Sequence, residues 1–350
     1  MNPDVTAIVV NYRQAALADA CAGTLRDAFA QEGIAGEIVL VDCGSGESEA
    51  EALRRIDADR LVALPDNRGY AGGVNAGLAR ARGRHLILSN ADVLFRPGAL
   101  TALLAAVARP GAGAAAPVCE WDSDGRVLLP PGFDPGFFGE LGLFRAGSSR
   151  ARDDRRFARF AREAVSLWKR GGAARHLSGA VLASRRDVFD RVGRFDERFP
   201  FEYEETEWES RVRRAGLDLA VVADARVRHL WGGSASGDPE TALRRGASRR
   251  LFRQRRYGRL GRVLLERAER RQARLDGVRT RRLDEVPARP GEWIALSPHA
   301  SRIPFAGAEL STPFRIPADL VSSLPPGEWF CTTFSGADGR PRETFVLERS

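Results

Sequence analysis

Four short apolar runs near the start of this chain each lead to a polar side chain that could do chemistry. The runs cover residues 6–10, 38–41, 61–64 and 85–89, and Asn11, Asp42, Asn67 and Asp92 follow them. Open α/β sheets take their ligands outside the carboxyl ends of the strands, so the trio Asn90, Ala91, Asp92 falls where a substrate would sit. Four polar ends in register are hard to explain as core. A second acidic group occupies residues 201–209, FEYEETEWE, with five glutamates in nine residues. One or two carboxylates would suit the positive end of a helix. Five so close together repel one another, which points one or more of them at a metal, a cation or a protonated partner. His229 ends a further apolar run and precedes Gly232 and Gly233. A lone histidine is more often a packed core residue, but a place at a strand end also admits a ligand role.

Between the third and fourth runs lies DNRGYAGGVNAG, residues 66–77. Gly69, Gly72, Gly73 and Gly77 do not form G-x-G-x-x-G, and no Lys-Ser or Lys-Thr pair follows, so neither a dinucleotide loop nor a P-loop is present. Two uses remain. The turn can let the backbone approach a flat or charged ligand with helical N–H groups facing it, or the small residues can pack a helix on strands.

Helical patterns over about 14–31, 47–56 and 71–82 alternate with the apolar runs, and strand-helix repeated three times predicts a parallel, doubly wound sheet. A helix over 98–109 and a strand over 114–118 come next. Residues 130–144 are rich in proline, glycine and phenylalanine, and 145–175 are dense in arginine, with Phe157, Phe160 and Trp168 at helical spacing. They read as a mobile insertion with an amphipathic helix, or as a solvated arginine face whose aromatic stripe lies in the core. Residues 176–183 predict a strand, 185–192 a helix, and 219–222 and 226–229 two short strands. An arginine-rich helical stretch over 239–275 has an apolar side in Leu251, Phe252, Leu260, Val263 and Leu264. Such a helix can lie on an anionic membrane, bind nucleic acid or pack on the domain. From residue 287 the composition turns to proline, serine and aromatics, with PGEW at 290–293 and again at 326–329, which predicts a small β-rich module with related turns.

The 350 residues carry a net charge of +8, and Lys169 is the only lysine, so nearly every cation is an arginine. The planar fork of arginine suits phosphate, which keeps nucleotide, nucleic acid and anionic membrane open as partners. Cys21, Cys43, Cys119 and Cys331 include no C-x-x-C pair and read as reduced thiols in a cytosolic protein. The chain enters its first strand without a basic n-region and long h-region, which predicts no signal peptide. No apolar run reaches the ~18 residues of a membrane span, so any membrane contact would be peripheral.

With these residues in view, the stretch from about 5 to 236 resembles the inverting glycosyltransferases of family 2, of GT-A fold, and most closely their bacterial rhamnosyltransferase-like branch. The matching strings are IVVNY, VDCGS, DNRGYAGGVNAG, LSNAD, HLSGAVLASRRDVF, VGRFDERF, EETE followed by RVRRAG, and VRHLWGGS. The resemblance implies a GT-A type, Rossmann-like sheet that binds a nucleotide sugar, UDP- or dTDP-linked, through Asn11, Asp42, Asn67, Gly69, Asn75, Asn90 and Asp92. It implies Mg2+ or Mn2+ bridging the diphosphate, with Asp92 and His229 as metal ligands. It places the family's catalytic acid pair on Glu204 and Glu205. Glu205 matches the base by position, but glutamate stands where the family has aspartate, so either residue can be the base. Cys43 departs from the asparagine common at its position.

The implied activity is inverting, metal-dependent transfer of a hexosyl or deoxyhexosyl group to a hydroxyl of a glycan or lipid-linked acceptor in polysaccharide biosynthesis. The implied location is cytoplasmic, at the inner face of the cell membrane, with peripheral contact to anionic lipid. Two alternatives compete: a nucleotide-sugar-binding fold without turnover, and a nucleic-acid-binding protein. The second accounts for the arginines but not for Asp42, Asp92 and the glutamates, which repel phosphate, so no nucleic-acid partner is expected. The expected organisation is a GT-A domain over 1–236, a helical extension over 237–285 and the β-rich module over 286–350.

Overall fold

The computed structural model describes residues 3–134, 136–145, 149–230, 239–270, 279–280, 286–287, 289–317, 320, 324 and 327–349. In chain order its elements are β1 (Val5–Asn11), α1 (Ala15–Gln31), β2 (Gly36–Cys43), α2 (Glu47–Leu53), β3 (Arg60–Leu64), α3 (Gly69–Leu78), β4 (His85–Asn90), β5 (Val93–Phe95), α4 (Ala99–Val107) and β6 (Ala112–Glu120). There follow α5 (Gly136–Phe144), α6 (Arg150–Arg170), β7 (Gly172–Ala173), β8 (Val181–Arg185), α7 (Arg186–Val192), α8 (Glu204–Arg214), β9 (Asp218–His229) and α9 (Pro239–Arg270). The last strands are β10 (Arg279–Thr280), β11 (Glu292–Ser297), β12 (Ala306–Glu309), β13 (Gly327–Ser335) and β14 (Pro341–Arg349).

The chain forms two compact units, one made of Met1–Cys119 with Arg170–Phe252, the other of Glu120–Lys169 with Arg253–Ser350. The first unit is the expected α/β sheet, in the order β3-β2-β1-β4-β8-β6-β9-β5, with β7 beside β9. Strands β3, β2, β1 and β4 run parallel, and β8 then pairs antiparallel with β4. Every residue of β1 is buried, which is why it reads as an unbroken apolar run rather than an alternation.

Helix α3 shows what the glycines do. A Cβ on Gly73 would stand 2.6 Å from Val10 Cγ1 and 2.9 Å from Cys43 Sγ, and one on Gly77 would collide with Ile8. These two glycines let the helix backbone lie directly on β1 and β2, so packing accounts for them. Gly69 differs, because its φ of +70° and the Pro200 carbonyl oxygen, 2.6 Å from where a Cβ would be, both require glycine.

Two strand assignments change. Residues 176–180 form a loop rather than the start of a strand, because the Leu177 N–H donates to a Glu209 carboxylate oxygen at 3.1 Å. The two short strands expected over 219–229 are one 12-residue strand, β9, with Leu219, Val221, Ala225, Val227 and His229 buried in alternation. The long arginine-rich helix is broken at Gly258, whose φ of 72° and ψ of 177° are not helical.

The second unit has a five-stranded sheet, β10-β14-β13-β11-β12, antiparallel apart from the β10–β14 pair. Its core includes the aromatic face of α6. Trp168 stacks on Trp293 with centroids 5.4 Å apart, and Phe157 stacks on Phe305 at 5.2 Å. Phe157, Phe160 and Trp168 are thus core residues on α6, which matches the reading of an arginine face with a buried aromatic stripe and not that of a mobile insertion. The two PGEW strings open β11 and β13, each with a glycine at positive φ, Gly291 and Gly327, followed by a buried tryptophan, Trp293 and Trp329. Pro326 lies outside the described residues.

Candidate active site

At the carboxyl edge of the first unit's sheet, Asn11 and Asp42 are register partners at the ends of β1 and β2, and both side chains are buried. The Asn11 amide donates to Asp42 Oδ1 at 3.3 Å and to Glu49 Oε1 at 3.4 Å, while Asn11 Oδ1 has no partner. The Ser45 backbone N–H donates to Asp42 Oδ2 at 3.2 Å, which fixes the turn after β2. A buried amide oxygen without a donor is costly, so Asn11 is poised for a ligand N–H or O–H.

Asn67 and Asn75 are occupied. Asn67 Oδ1 accepts the Gly69 N–H at 2.9 Å, so these two close the turn on each other. The Asn75 amide donates to the Phe195 carbonyl and to Glu197 Oε1, each at 2.9 Å, and its oxygen accepts the Phe195 N–H at 3.2 Å. All its hydrogen-bonding groups are engaged in holding the 195–197 turn against α3.

Asp92 and His229 come together by strand pairing. Val93 of β5 is the antiparallel partner of His229 at the end of β9, and the Leu230 N–H donates to the Asp92 carbonyl at 2.9 Å. This register sets His229 Nε2 3.3 Å from Asp92 Oδ1, with both side chains largely buried. Asn90, at the end of β4, is tied by its N–H to the Ala180 carbonyl at 3.0 Å. No cluster of three or more histidine, cysteine or acidic side chains that could hold a metal occurs among the described residues. One carboxylate oxygen and one imidazole nitrogen side by side fit a cation that draws its other ligands from substrate oxygens. The Trp231–Ser234 part of the VRHLWGGS string lies outside the described residues.

The five glutamates separate by their partners. Glu202 Oε1 accepts from Arg245 Nε at 2.9 Å, and Glu207 holds Arg211 in a two-point i,i+4 pair. Glu209, almost fully buried, bonds His176 Nδ1 and the Leu177 N–H. That leaves Glu204 and Glu205, the first two residues of α8, each with a buried Oε2 that has no partner. Burial, and then the charge of Glu205, pushes the Glu204 pKa well above the usual carboxylate value. Burial, offset in part by His176, pushes Glu205 up to about 7. A helix N-terminus favours the charged form, so here desolvation outweighs it. The turn into α8 is strained, because Glu202 and Tyr203 both have positive φ, 64° and 71°. Side chains with a Cβ are held there at a cost of ~1–3 kcal/mol each, which is typical of functional turns.

Three neighbours were not legible in the sequence. The Tyr70 hydroxyl donates to the Gly179 carbonyl at 3.3 Å, and burial, followed by the charges of Glu204, Glu205 and Asp92, raises its pKa. Tyr70 thus lies within the electrostatic reach of the acid pair and of Asp92. Gly179 lies against Glu205, since a Cβ there would be 3.0 Å from Glu205 Cγ. His176 reaches Glu209 from 33 residues away in sequence, a pairing without a local signature.

Comparison with known proteins adds the following. The model of the family described as Glycosyltransferase like family 2 matches residues 3–256. The chain is similar to the N-acetylglucosaminyl-diphospho-decaprenol L-rhamnosyltransferase of Mycobacterium tuberculosis, at 30% identity over 224 residues, 59% of this chain and 70% of that protein. It is similar to the succinoglycan biosynthesis protein ExoO of Rhizobium meliloti, at 36% identity over 129 residues, 36% of each chain. Among solved structures, a mannosyltransferase from Pyrobaculum calidifontis in complex with GDP-Man and Mn2+ matches over 77% of this chain and 74% of its own, at 19% identity and a TM-score of 0.48.

Proposed function

Because the chain belongs to glycosyltransferase family 2, we propose that it transfers a hexosyl or deoxyhexosyl group with inversion from a UDP- or dTDP-linked sugar to a hydroxyl of a glycan or lipid-linked acceptor. The observation that carries the mechanism is the pair of buried, unpartnered carboxylate oxygens on Glu204 and Glu205. Glu205, at a pKa of about 7, is balanced between holding and accepting a proton at neutral pH. In the proposed step the acceptor oxygen forms a bond to the anomeric carbon. The bond from that carbon to the diphosphate oxygen breaks on the opposite face, and its electron pair leaves with the nucleoside diphosphate. The acceptor's hydroxyl proton passes to Glu205 Oε2. Asn11 and Asp42 take the nucleoside, and Asn67, Gly69, Asn75 and Asn90 shape the turns around it.

Asp92 and His229 would hold Mg2+ or Mn2+. Bound there, the cation would supply charge stabilisation to the departing diphosphate. The decaprenol-linked acceptor and the L-rhamnosyl group in the name of the mycobacterial relative favour a deoxyhexose and a polyprenyl-linked acceptor for this chain as well.

A lipid-linked acceptor calls for contact with a membrane. No described helix is long and apolar enough to cross one. In the second unit, Phe137 packs on Tyr257 with ring centroids 5.4 Å apart, while neighbouring Phe138 is 83% exposed. Leu260 and Leu264, one turn apart on α9, are 74% and 44% exposed. Arg259, Arg267 and Arg270 are exposed on the same stretch, and that mixture of apolar and cationic groups suits an anionic lipid surface. A second copy of the chain would set these arginines against their own kind. Residues 271–274 of this basic stretch lie outside the described residues. With all four cysteines buried as free thiols, we place the enzyme in the cytoplasm at the inner membrane face.

The test is a transfer assay with UDP- and dTDP-sugars, Mg2+ or Mn2+, and polyprenyl diphosphate-linked sugar acceptors. Product with an inverted anomeric centre, lost on chelation, is expected. A retained configuration, or full activity with chelator, would overturn the corresponding part.

A further inference from the structure

Outside the acid pair and the Asp92–His229 pair, another buried pair of titratable groups in the first unit is His176 with Glu209. Glu209 stands one helical turn beyond Glu205, so both carboxylates project from the same face of α8. Residues 176–179 cross that face. His176 Nδ1 bonds Glu209 Oε2, and the Leu177 N–H donates to Glu209 Oε1 at 3.1 Å. Two residues on, Gly179 lies against Glu205 and accepts the Tyr70 hydroxyl at 3.3 Å. Glu209 is 1% exposed and the His176 side chain 11%. One short loop therefore touches both carboxylates, gripping Glu209 and walling Glu205.

We propose that the His176–Glu209 pair is a positioning device for Glu205: Glu209 anchors the 176–179 loop that sets Gly179 against the Glu205 side chain, and a protonated His176 on that loop serves Glu205 as its counter-charge. This rests on Glu205 being the base. The charges around Glu205 leave few other candidates for the task. From its own helix and the turn before it come Glu202, Glu204 and Glu209, all acidic, and from α3 comes the Tyr70 phenol. Arg245 is paired with Glu202, and Arg213 acts on Glu209. A protonated His176 lowers the Glu205 pKa, against the opposing charge of Glu209. Without it, a desolvated glutamate among like charges would stay protonated at neutral pH and could not accept the acceptor's proton.

The test reads the carboxylate directly and needs no substrate. In protein labelled with carboxyl-13C glutamate, the Glu205 signal, identified by its loss in Glu205→Gln, is followed against pH. His176→Gln keeps a hydrogen-bonding side chain and removes the charge. It is expected to move the Glu205 midpoint upward by about one pH unit, and the acidic limb of the pH–rate profile by the same amount. Linkage is reciprocal, so Glu205→Gln must lower the His176 imidazole midpoint by an equal shift. That second measurement holds even if His176→Gln folds poorly. An unmoved Glu205 midpoint in folded His176→Gln, or an unmoved His176 midpoint in Glu205→Gln, would overturn the proposal. Transfer activity surviving in Glu205→Gln would instead remove the base assignment, with the two titrations still deciding whether the groups are coupled.

Discussion

The carboxyl edge of the first unit and the aromatic core of the second bury different kinds of group. In the second, rings fill the space and the Trp168 indole N–H donates to the Leu129 carbonyl at 2.9 Å, while unpartnered atoms such as Thr333 Oγ1 and Arg302 Nε lie on separate elements. At the edge of the first, Asn11, Glu204 and Glu205 each bury an oxygen without a partner, and two non-glycine residues sit at positive φ beside them. Each orphaned polar atom costs about 1–3 kcal/mol. Two neighbouring carboxylates that both bury an unpartnered oxygen, at the start of one helix and beside a strained turn, are an arrangement that a ligand can use. Substitutions in the two regions should therefore separate rate from stability.

The largest effect is expected at Asp92. Asp92→Ala should lower transfer by ~10² or more and abolish the stimulation by Mn2+ or Mg2+, while costing only about 1 kcal/mol of stability, because His229 is the side chain it meets. Activity and thermal melting on the same preparation check both halves. A near-normal rate with intact metal dependence would break the contrast at its strongest point. The converse is Trp168→Ala, which removes a fully buried indole and should destabilise the protein by roughly 3–5 kcal/mol. Denaturant unfolding would show it. Transfer measured well below the melting point should change far less than in Asp92→Ala.

The edge should also announce itself in the pH dependence of stability. The folded-state pKa of Glu205 is raised from 4.5 to about 7, and those of Glu204 and Glu209 are raised as well. The folded state thus holds protons that the unfolded state releases. The associated stability is full below the unfolded value and is lost as pH rises from about 4.5 through about 7. Glu205→Gln should remove part of that loss, leaving the variant more stable than wild type at pH 8 by on the order of 3 kcal/mol. Urea melts at pH 5 and 8 test the sign, and equal stability at pH 8 would contradict it. The smallest effect is expected at the exposed apolar strip. Binding to vesicles containing anionic lipid at low salt should weaken by roughly tenfold in Leu260→Ser, with transfer to a water-soluble acceptor unchanged, since a leucine contributes about 1.5 kcal/mol at the lower end of its burial range. Co-sedimentation that is equal for anionic and neutral vesicles would remove the lipid from the account.

Much of the first unit was legible because its strands are buried on both faces and read as unbroken apolar runs, with helical periods between them. The part that was misread follows from the same logic. Strand β9 is polar at its middle, around Asp224, so one strand looked like two, and Leu177 looked like strand until Glu209 drew its N–H away. The partnership of α6 with the last strands was not legible, since helical spacing says that Phe157, Phe160 and Trp168 share a face but not that Phe305 and Trp293 cover it. In the site, residue type marked Asp92 and His229 and the acidic segment. It could not rank five glutamates, because ranking depends on Arg245, Arg211 and His176, which the fold brings from elsewhere. Nor could it show that Asn67 bonds the Gly69 N–H and that Asn75 spends its amide on Phe195 and Glu197.

The central assignment is which carboxylate takes the proton. The most direct measurement is the transfer rate and donor affinity of Glu205→Gln beside Glu204→Gln, both shape-conserving changes at neighbouring, buried positions. Glu205→Gln is expected to cut the rate by roughly 10² or more at unchanged donor affinity, the usual weight of a general base, with Glu204→Gln less affected. A dead Glu204→Gln beside a nearly normal Glu205→Gln would move the base by one residue, and normal rates in both would contradict proton transfer to this segment altogether.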